Sequence, residues 1–326
     1  LGGPVWKGKL LEVGDQILKV GQGSAEPVDV VGMRLDDAVK LIKGPKGTEV
    51  RLTVKRVDGT IEVVPIIRDV VEIEETYAKS AVITANGKRY GLINLPKFYI
   101  DFEDVNRRNA ATDVALEIEK LKKENIDGLI IDLRSNGGGS LKTVVDIGGL
   151  FIPKGPIVQV KSSRGSRDVL SDNDPKTQWD GSLVILTNEL SASASEILAA
   201  AMQDYGRAII LGSKQSFGKG TVQELIDLNR EVRNNLLGDM GAVKLTRQKF
   251  YRINGGSTQL KGVNSDIVIP DRYQYIKVGE RELENPLPWD EIHKVAFTPW
   301  KQNQNFATKD NCTTIVLHGS GQNLRG

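Results

Sequence analysis

Apolar positions along this chain fall into two rhythms, and the rhythm changes near residue 86. Before that point the runs are short. LLEVGDQILKV (10–20) alternates apolar and polar positions around Gly14-Asp15 and predicts two paired strands. In RLDDAVKLIKG, Leu35, Ala38, Val39 and Ile42 recur at i, i+3, i+4 and i+7, an amphipathic helix closed by Gly44-Pro45. RLTVKR and IEVVPIIR flank Asp58-Gly59, a pair suited to a type I′ hairpin turn. Residues 1–68 therefore predict a small α+β module, with 69–85 as a connecting strand.

After residue 86, buried runs alternate with helical stripes. YGLINLPKFYI predicts a strand, and 103–125 a helix with its stripe on Val114, Ile118 and Leu121. DGLIIDL (127–133) is almost unbroken apolar sequence, as in a strand covered on both faces. TVVDIGGLF then predicts a helix, and PIVQV, SLVILTN and AIILG predict three further strands. That alternation implies a mostly parallel sheet with helices on both sides. Within 242–269 the pattern turns to β structure, with VKLTRQKFYRI and NGGSTQLKG. The fold class expected is α/β with added β structure, its core over 86–275 and a carboxyl-terminal extension over 276–326. The apolar periodicity is lost in 300–326, which reads as a loose or foreign tail.

Composition narrows the function classes. The 326 residues, enough for two domains, are 39% hydrophobic and 26% charged with a formal net charge of +2. Without a dense Lys/Arg run, that charge gives no footprint for nucleic acid. No apolar segment reaches the roughly 18–20 residues that span a bilayer. The single cysteine, Cys312, can form neither an internal disulfide nor a cysteine metal cluster, so no metal is expected. The sequence begins at Leu1 rather than Met, and an export signal removed upstream is the expectation.

Candidate chemistry sits where predicted strands end, because ligands in open α/β sheets bind beyond the carboxyl ends of strands. After DGLIIDLR comes SNGGGS (135–140), where Gly137, Gly138 and Gly139 let backbone approach a ligand and offer N–H groups to an anion; taken alone, these residues read more readily as a plain flexible turn. After SLVILTNEL comes SASASEILAAAM, with serines at 191, 193 and 195. Ser193 and Glu196 form the S-x-x-E capping box, and Ser195 can also cap. A catalytic serine would need a base. The two histidines, His293 and His318, lie near the carboxyl end, the second in the aberrant tail with Cys312, which argues against Ser–His–Asp and cysteine chemistry. A lysine remains. Its pKa near 10.4 must fall by roughly 3 units, on the order of 4 kcal/mol, within the reach of burial. Lys219 in SFGKGTVQ is the candidate, between Gly218 and Gly220, with Gln223 four residues on and on the same face to orient the amine.

SASASEILAAAMQDYGRA together with FGKGTVQ resembles the tail-specific proteases, Ser–Lys peptidases of the wider carboxyl-terminal processing protease family. RLDDAVKLIKGPKGTEVRL, IDLRSNGGGSL, GLFIPKGPIVQV, QKFYRINGGSTQLKGV and NPLPWDEI extend the resemblance over about residues 1–293. It implies a crotonase/ClpP-like protease core preceded by a partial PDZ domain. It implies Ser193 as nucleophile, Lys219 as general base assisted by Gln223, and an oxyanion hole from the N–H groups of Ala194 and Gly138. A family acid falls on Asp204. Eleven residues along a helix put it about 16 Å further on, so its expected role is structural. The helix carrying Leu35, Ala38, Val39 and Ile42 is expected to wall a peptide groove, with the carboxylate-binding loop before Leu1. The resemblance also implies protein or peptide substrates with apolar carboxyl termini, delivery by an adaptor protein, no cofactor and a periplasmic location. The sequence departs from the family in two ways inside the core. The Ser193–Lys219 interval, 219 − 193 = 26, is one residue longer, with the extra residue in GSKQSFG, and Ser265 stands where the family has proline. The rivals are a catalytically silent peptide-binding module and an acyl-CoA hydratase-like activity on the same fold.

Overall fold

The computed structural model describes residues 3–69, 76–101, 108–231 and 238–300. The chain divides into two compact units, Leu1–Thr76 and Tyr77–Gly326.

The first unit contains α1 (Pro4–Gly8), β1 (Gln16–Gln22), β2 (Val28–Asp29), α2 (Leu35–Ile42), β3 (Glu49–Lys55) and β4 (Ile61–Ile67). Its antiparallel sheet has the order β2-β1-β3-β4. Alternate residues Val50, Leu52, Val54, Val64 and Ile66 point to one side and form its core with Val20. Only the second half of LLEVGDQILKV is strand. Residues before Gly14 form an irregular approach because Arg56 bonds the Leu10 carbonyl and Asp15 accepts the Glu12 N–H, so the segment is held by side chains rather than by a partner strand. The β3–β4 connection is also longer than the two-residue turn expected. Arg56 N–H pairs with Thr60 O, and Gly59, at φ +89°, donates to Arg56 O, which makes a three-residue loop with a left-handed glycine. On α2, Ala38, Leu41 and Ile42 face the core, whereas Leu35 is 78% exposed.

The second unit is built on a six-stranded sheet. Its strands are β5 (Lys79–Ala85), β6 (Lys88–Asn94), β7 (Gly128–Asp132), β10 (Ser182–Thr187), β11 (Ile209–Gly212) and β14 (Ile267–Val268), in the order β14-β11-β10-β7-β6-β5. All pair in parallel except the antiparallel edge strand β5. The helices are α3 (Ala110–Lys123), α4 (Leu141–Gly149) and α5 (Ala194–Asp204). The stripe Val114, Ile118 and Leu121 is buried in the main core as expected. Asn109 caps α3 by accepting from the Ala111 and Thr112 N–H groups. The expected strand YGLINLPKFYI stops at Asn94, just before Leu95-Pro96, since proline cannot extend the ladder.

PIVQV does not join the parallel sheet. It lies in β8 (Gly155–Ser162), part of a second, antiparallel sheet with β9 (Arg167–Asp172), β12 (Thr221–Asp227) and β13 (Ala242–Tyr251), ordered β12-β13-β8-β9. Buried Gln159 on β8 donates to Arg252 O, a partner that only this sheet supplies. A four-residue helix, α6 (Leu228–Glu231), follows β12. Two 3-10 turns, Arg272–Tyr275 and Glu280–Glu282, lead into an extended segment that reaches Trp300.

Candidate active site

Three strand ends of the parallel sheet, those of β6, β7 and β10, converge on one corner. The loop after β10 holds the three serines, which do different things. Ser191 Oγ donates to Leu133 O at 2.8 Å, and Ser195 Oγ donates to Asn136 O at 2.8 Å; both are fully buried and fasten this loop to the glycine loop after β7. Ser193 alone opens on a cleft. Its backbone is at φ 57°, ψ −114°, outside the regions an L residue prefers, a distortion that costs on the order of 1–3 kcal/mol and persists only when surroundings over-determine it. Here its N–H is held by Glu196 Oε2 at 2.8 Å and its carbonyl by Ile197 N–H at 2.9 Å.

Asn136 organises the glycine loop. Its Nδ2 donates to Leu95 O, its carbonyl accepts Ala192 N–H, and its Oδ1 accepts Gly138 N–H at 2.8 Å. That last bond revises the expectation for Gly138, whose N–H is already engaged. Gly138 has a different task. At φ +100° its α-carbon lies so close to the serine loop that an added Cβ would stand 2.7 Å from Ser193 Cβ and 3.0 Å from Ala194 N. Its carbonyl accepts Phe98 N–H at 3.1 Å on the β6 side. A trans peptide directs the next N–H the opposite way, so the Gly139 N–H faces the β10 side, where Ser193 lies. Among the described residues neither Gly139 N–H nor Ala194 N–H has a hydrogen-bond partner.

Lys219 sits in a fully fastened stretch of backbone. Gly218 N–H donates to Glu196 Oε1 at 2.7 Å and Lys219 N–H to Glu196 Oε2 at 3.0 Å. Gly220 N–H donates to Gln259 Oε1 at 2.8 Å. The three carbonyls accept from Leu260 N–H, Thr258 Oγ1 and Phe250 N–H, respectively. With every main-chain group of Gly218–Gly220 engaged, only the lysine side chain is free to move. Nζ donates to Gln223 Oε1 at 3.2 Å and reaches the same cleft as Ser193, a cavity of about 430 Å³. Among the described residues no hydrogen bond joins Ser193 Oγ directly to Nζ in this resting arrangement. Half-burial, then the positive charge of Lys244, hold the amine below the ordinary lysine value; Glu280 and Glu196 pull it back up. Leu141, Ile197, Val222 and Phe250 give the cleft an apolar wall.

Glu196 is a residue of the site that reading the sequence as a capping box undervalued. It is fully buried and accepts four hydrogen bonds, from the N–H groups of Ser193, Gly218 and Lys219 and from Ser216 Oγ. Burial pushes its carboxyl up to about 7 against the pull of those four donors. The remaining candidates lie elsewhere. Asp204, at the far end of α5, accepts from Arg252 and Asn254 and takes no part in the cleft. His293 is outside the cleft, and its carbonyl accepts from Arg167. Cys312 and His318 lie outside the described residues. Among those residues no group of three or more His, Cys, Asp or Glu side chains gathers as a metal site. No helix among them is long and apolar enough to cross a membrane. The two departures inside the core meet in space: Ser265 Oγ donates to Ser213 O at 2.6 Å and Ser265 N–H to Lys214 O at 3.3 Å, so a residue with an N–H ties down the longer loop.

Comparison with known proteins agrees with this arrangement. The profile of Peptidase family S41 matches residues 89–269, just over half of the chain. A PDZ domain profile matches residues 1–55, and that of the C-terminal domain of tail specific protease matches 273–310. The chain is 43% identical over 297 residues to the tail-specific protease of Haemophilus influenzae, covering 91% of this chain and 41% of that protein. It is 35% identical over 220 residues to the carboxyl-terminal-processing protease of Picosynechococcus, covering 67% and 49%. A crystal structure provisionally named as an S41 protease from Bacteroides fragilis shares the fold at a TM-score of 0.51 and 16% identity, covering 82% of this chain and 68% of that one. The chain thus spans less than half the length of the two curated relatives, and its fold, its α/β core and its PDZ unit are those of their group: it belongs to peptidase family S41.

Proposed function

We propose that this chain is the catalytic part of a serine endopeptidase, with Ser193 as nucleophile and Lys219 as general base. The observation that carries the reading is the pairing itself: a distorted serine and a half-buried lysine open on one cleft and hang from one buried carboxylate, Glu196. An extended substrate segment enters the cleft. Neutral Lys219 Nζ takes the Ser193 proton as Oγ attacks the peptide carbonyl, while Gln223 orients the amine. The oxyanion then lies against the N–H groups of Ala194 and Gly139, a type of interaction worth about 3 kcal/mol per donor. The start of α5 adds a favourable dipole. Lys219 next gives its proton to the leaving amine, and water, deprotonated by the same lysine, frees the acyl group from Ser193.

The first unit is the substrate receptor in this reading. A protein's apolar carboxyl terminus adds as a strand beside α2, where exposed Leu35 and half-buried Val39 stand away from the unit's core. The resemblance to tail-specific proteases supports both this substrate class and a periplasmic location. The test is cleavage of an unfolded reporter ending in apolar residues by wild type, Ser193→Ala and Lys219→Ala. Cleavage by wild type alone is expected. Equal cleavage by all three would overturn the assignment, and peptide binding without cleavage would identify a binding module instead.

A further inference from the structure

Gln259 is completely buried in the loop between β13 and β14, and both polar atoms of its side chain are hydrogen-bonded, as is its N–H. Its Oε1 accepts the Gly220 N–H, the main-chain group next to Lys219, at 2.8 Å. Its Nε2 donates to Glu280 Oε1 at 3.1 Å and to Leu287 O at 3.0 Å. Glu280 in turn uses its own N–H to bond Phe217 O at 2.9 Å, on the other side of the lysine. Gly279 makes that approach possible: at φ +118° it passes so near Phe217 that an added Cβ would stand 2.8 Å from the carbonyl oxygen. The segment from Gly279 to Leu287 therefore touches the lysine loop on both flanks, at Phe217 directly and at Gly220 through one amide side chain.

We propose that Gln259 is a positioning residue for Lys219 and that Glu280 and the Leu287 carbonyl, from the segment following the sheets, lock it in place. The proposal rests on Lys219 being the general base. An amide suits this position because Oε1 and Nε2 must serve as acceptor and donor at once. With the amide fixed by two acceptors from the later segment, its oxygen can face only Gly220, and the lysine loop cannot drift away from Ser193. The charged groups around Lys219 are Lys244 from β13, Glu280 from the later segment, Glu196 from α5 and Lys97 across the cleft after β6.

Three variants separate positioning from charge: Gln259→Met, which keeps the volume and removes both functions; Glu280→Ala, which frees the amide; and Glu280→Gln, which keeps an acceptor and loses the charge. Two readouts apply, kcat and KM on the unfolded reporter, and the pH midpoint of Lys219 acylation by trace acetic anhydride with peptide mass mapping. Gln259→Met and Glu280→Ala should each lower kcat at least about tenfold with KM changed less than about threefold; the labelling midpoint should move up in Gln259→Met as the amine becomes wetter, and in Glu280→Ala, which also loses the negative neighbour, it should lie above that of Glu280→Gln. Glu280→Gln should keep kcat within about threefold of wild type while its midpoint moves down, because a negative neighbour has gone. Wild-type kcat in both Gln259→Met and Glu280→Ala, with a wild-type midpoint in Gln259→Met, would overturn the proposal. So would an equal loss of kcat in Glu280→Gln and Glu280→Ala, which would make the effect one of charge. Should Gln259→Met fail to fold, Glu280→Ala, whose side chain lies at the edge of this network, decides by its kcat and by its midpoint measured against Glu280→Gln, which lacks the same charge. Loss of the Ser193 dependence of cleavage would instead strike the catalytic assignment, which the labelling midpoints do not share.

Discussion

The backbone N–H groups of Ser193 and Lys219, far apart in the sequence, converge on one oxygen, Oε2 of Glu196, at 2.8 and 3.0 Å. The nucleophile and base candidates thus share a rigid reference point inside the protein, while both residues line the cleft. A carboxylate suits the junction because four donors meet there, and only an ionised acid accepts them all without bringing a donor of its own.

Replacing Glu196 by Gln sets an NH2 group against donors. We expect kcat to fall by about two orders of magnitude and unfolding to become easier by about 2–3 kcal/mol, measured by reporter cleavage and urea denaturation.

The pH dependence of stability and of activity should run in opposite directions. Glu196 rises in the folded state from 4.5 to about 7, so the fold holds an extra proton, and that stabilising contribution is full below the unfolded glutamate value and lost as pH rises to about 7. Cleavage should rise over the same window and beyond, as Glu196 ionises and Lys219 gives up its proton. Urea midpoints and kcat/KM measured from pH 4.5 to 9 check both slopes, and Glu196→Gln should flatten the stability slope attributable to this residue.

Lys244 lies on the same sheet face as Gln223, across the β12–β13 pair, and its charge helps hold the Lys219 amine below the ordinary lysine value. Lys244→Met should move the rising limb of the kcat/KM–pH profile upward, because the lysine becomes easier to protonate once the neighbouring positive charge is gone. Raising ionic strength should shrink the difference.

Gly138→Ala would put a methyl group against Ser193 and Ala194 at a backbone angle alanine resists. The expected result is loss of at least about 2 kcal/mol of stability together with nearly complete loss of cleavage. Asp204→Ala should behave differently. It strips the partner from a mostly buried Arg252, so the melting temperature should fall while kcat per folded molecule stays close to wild type.

The sequence made the long periodic elements legible: α3 by its stripe, and β7, β10 and β11 by unbroken apolar runs. Elimination of histidine and cysteine left a lysine as the candidate base, Lys219, while the choice of Ser193 among three serines came from the resemblance to the tail-specific proteases. What the sequence concealed were non-local choices. PIVQV carries the same apolar signal in either sheet, and only its pairing with β13 and the buried bond from Gln159 to Arg252 O decide which one it joins. Gly138 and Gly139 are indistinguishable as letters; the bonds from Gly138 to Asn136 and Phe98 assign them different tasks. Glu196 read as a local cap because S-x-x-E is a local pattern, whereas three of its four donors come from a loop more distant in the chain.

The claim that a neutral Lys219 activates Ser193 is tested most directly by rapid-quench acylation with an activated peptide ester, with the modified residue located by mass spectrometry as a function of pH. The account predicts an acyl group on Ser193, formed at a rate that climbs with a midpoint below that of ordinary lysine and falls at least about a thousandfold in Lys219→Ala. An acyl group on any other residue, or the same rate and pH profile in Lys219→Ala, would contradict it.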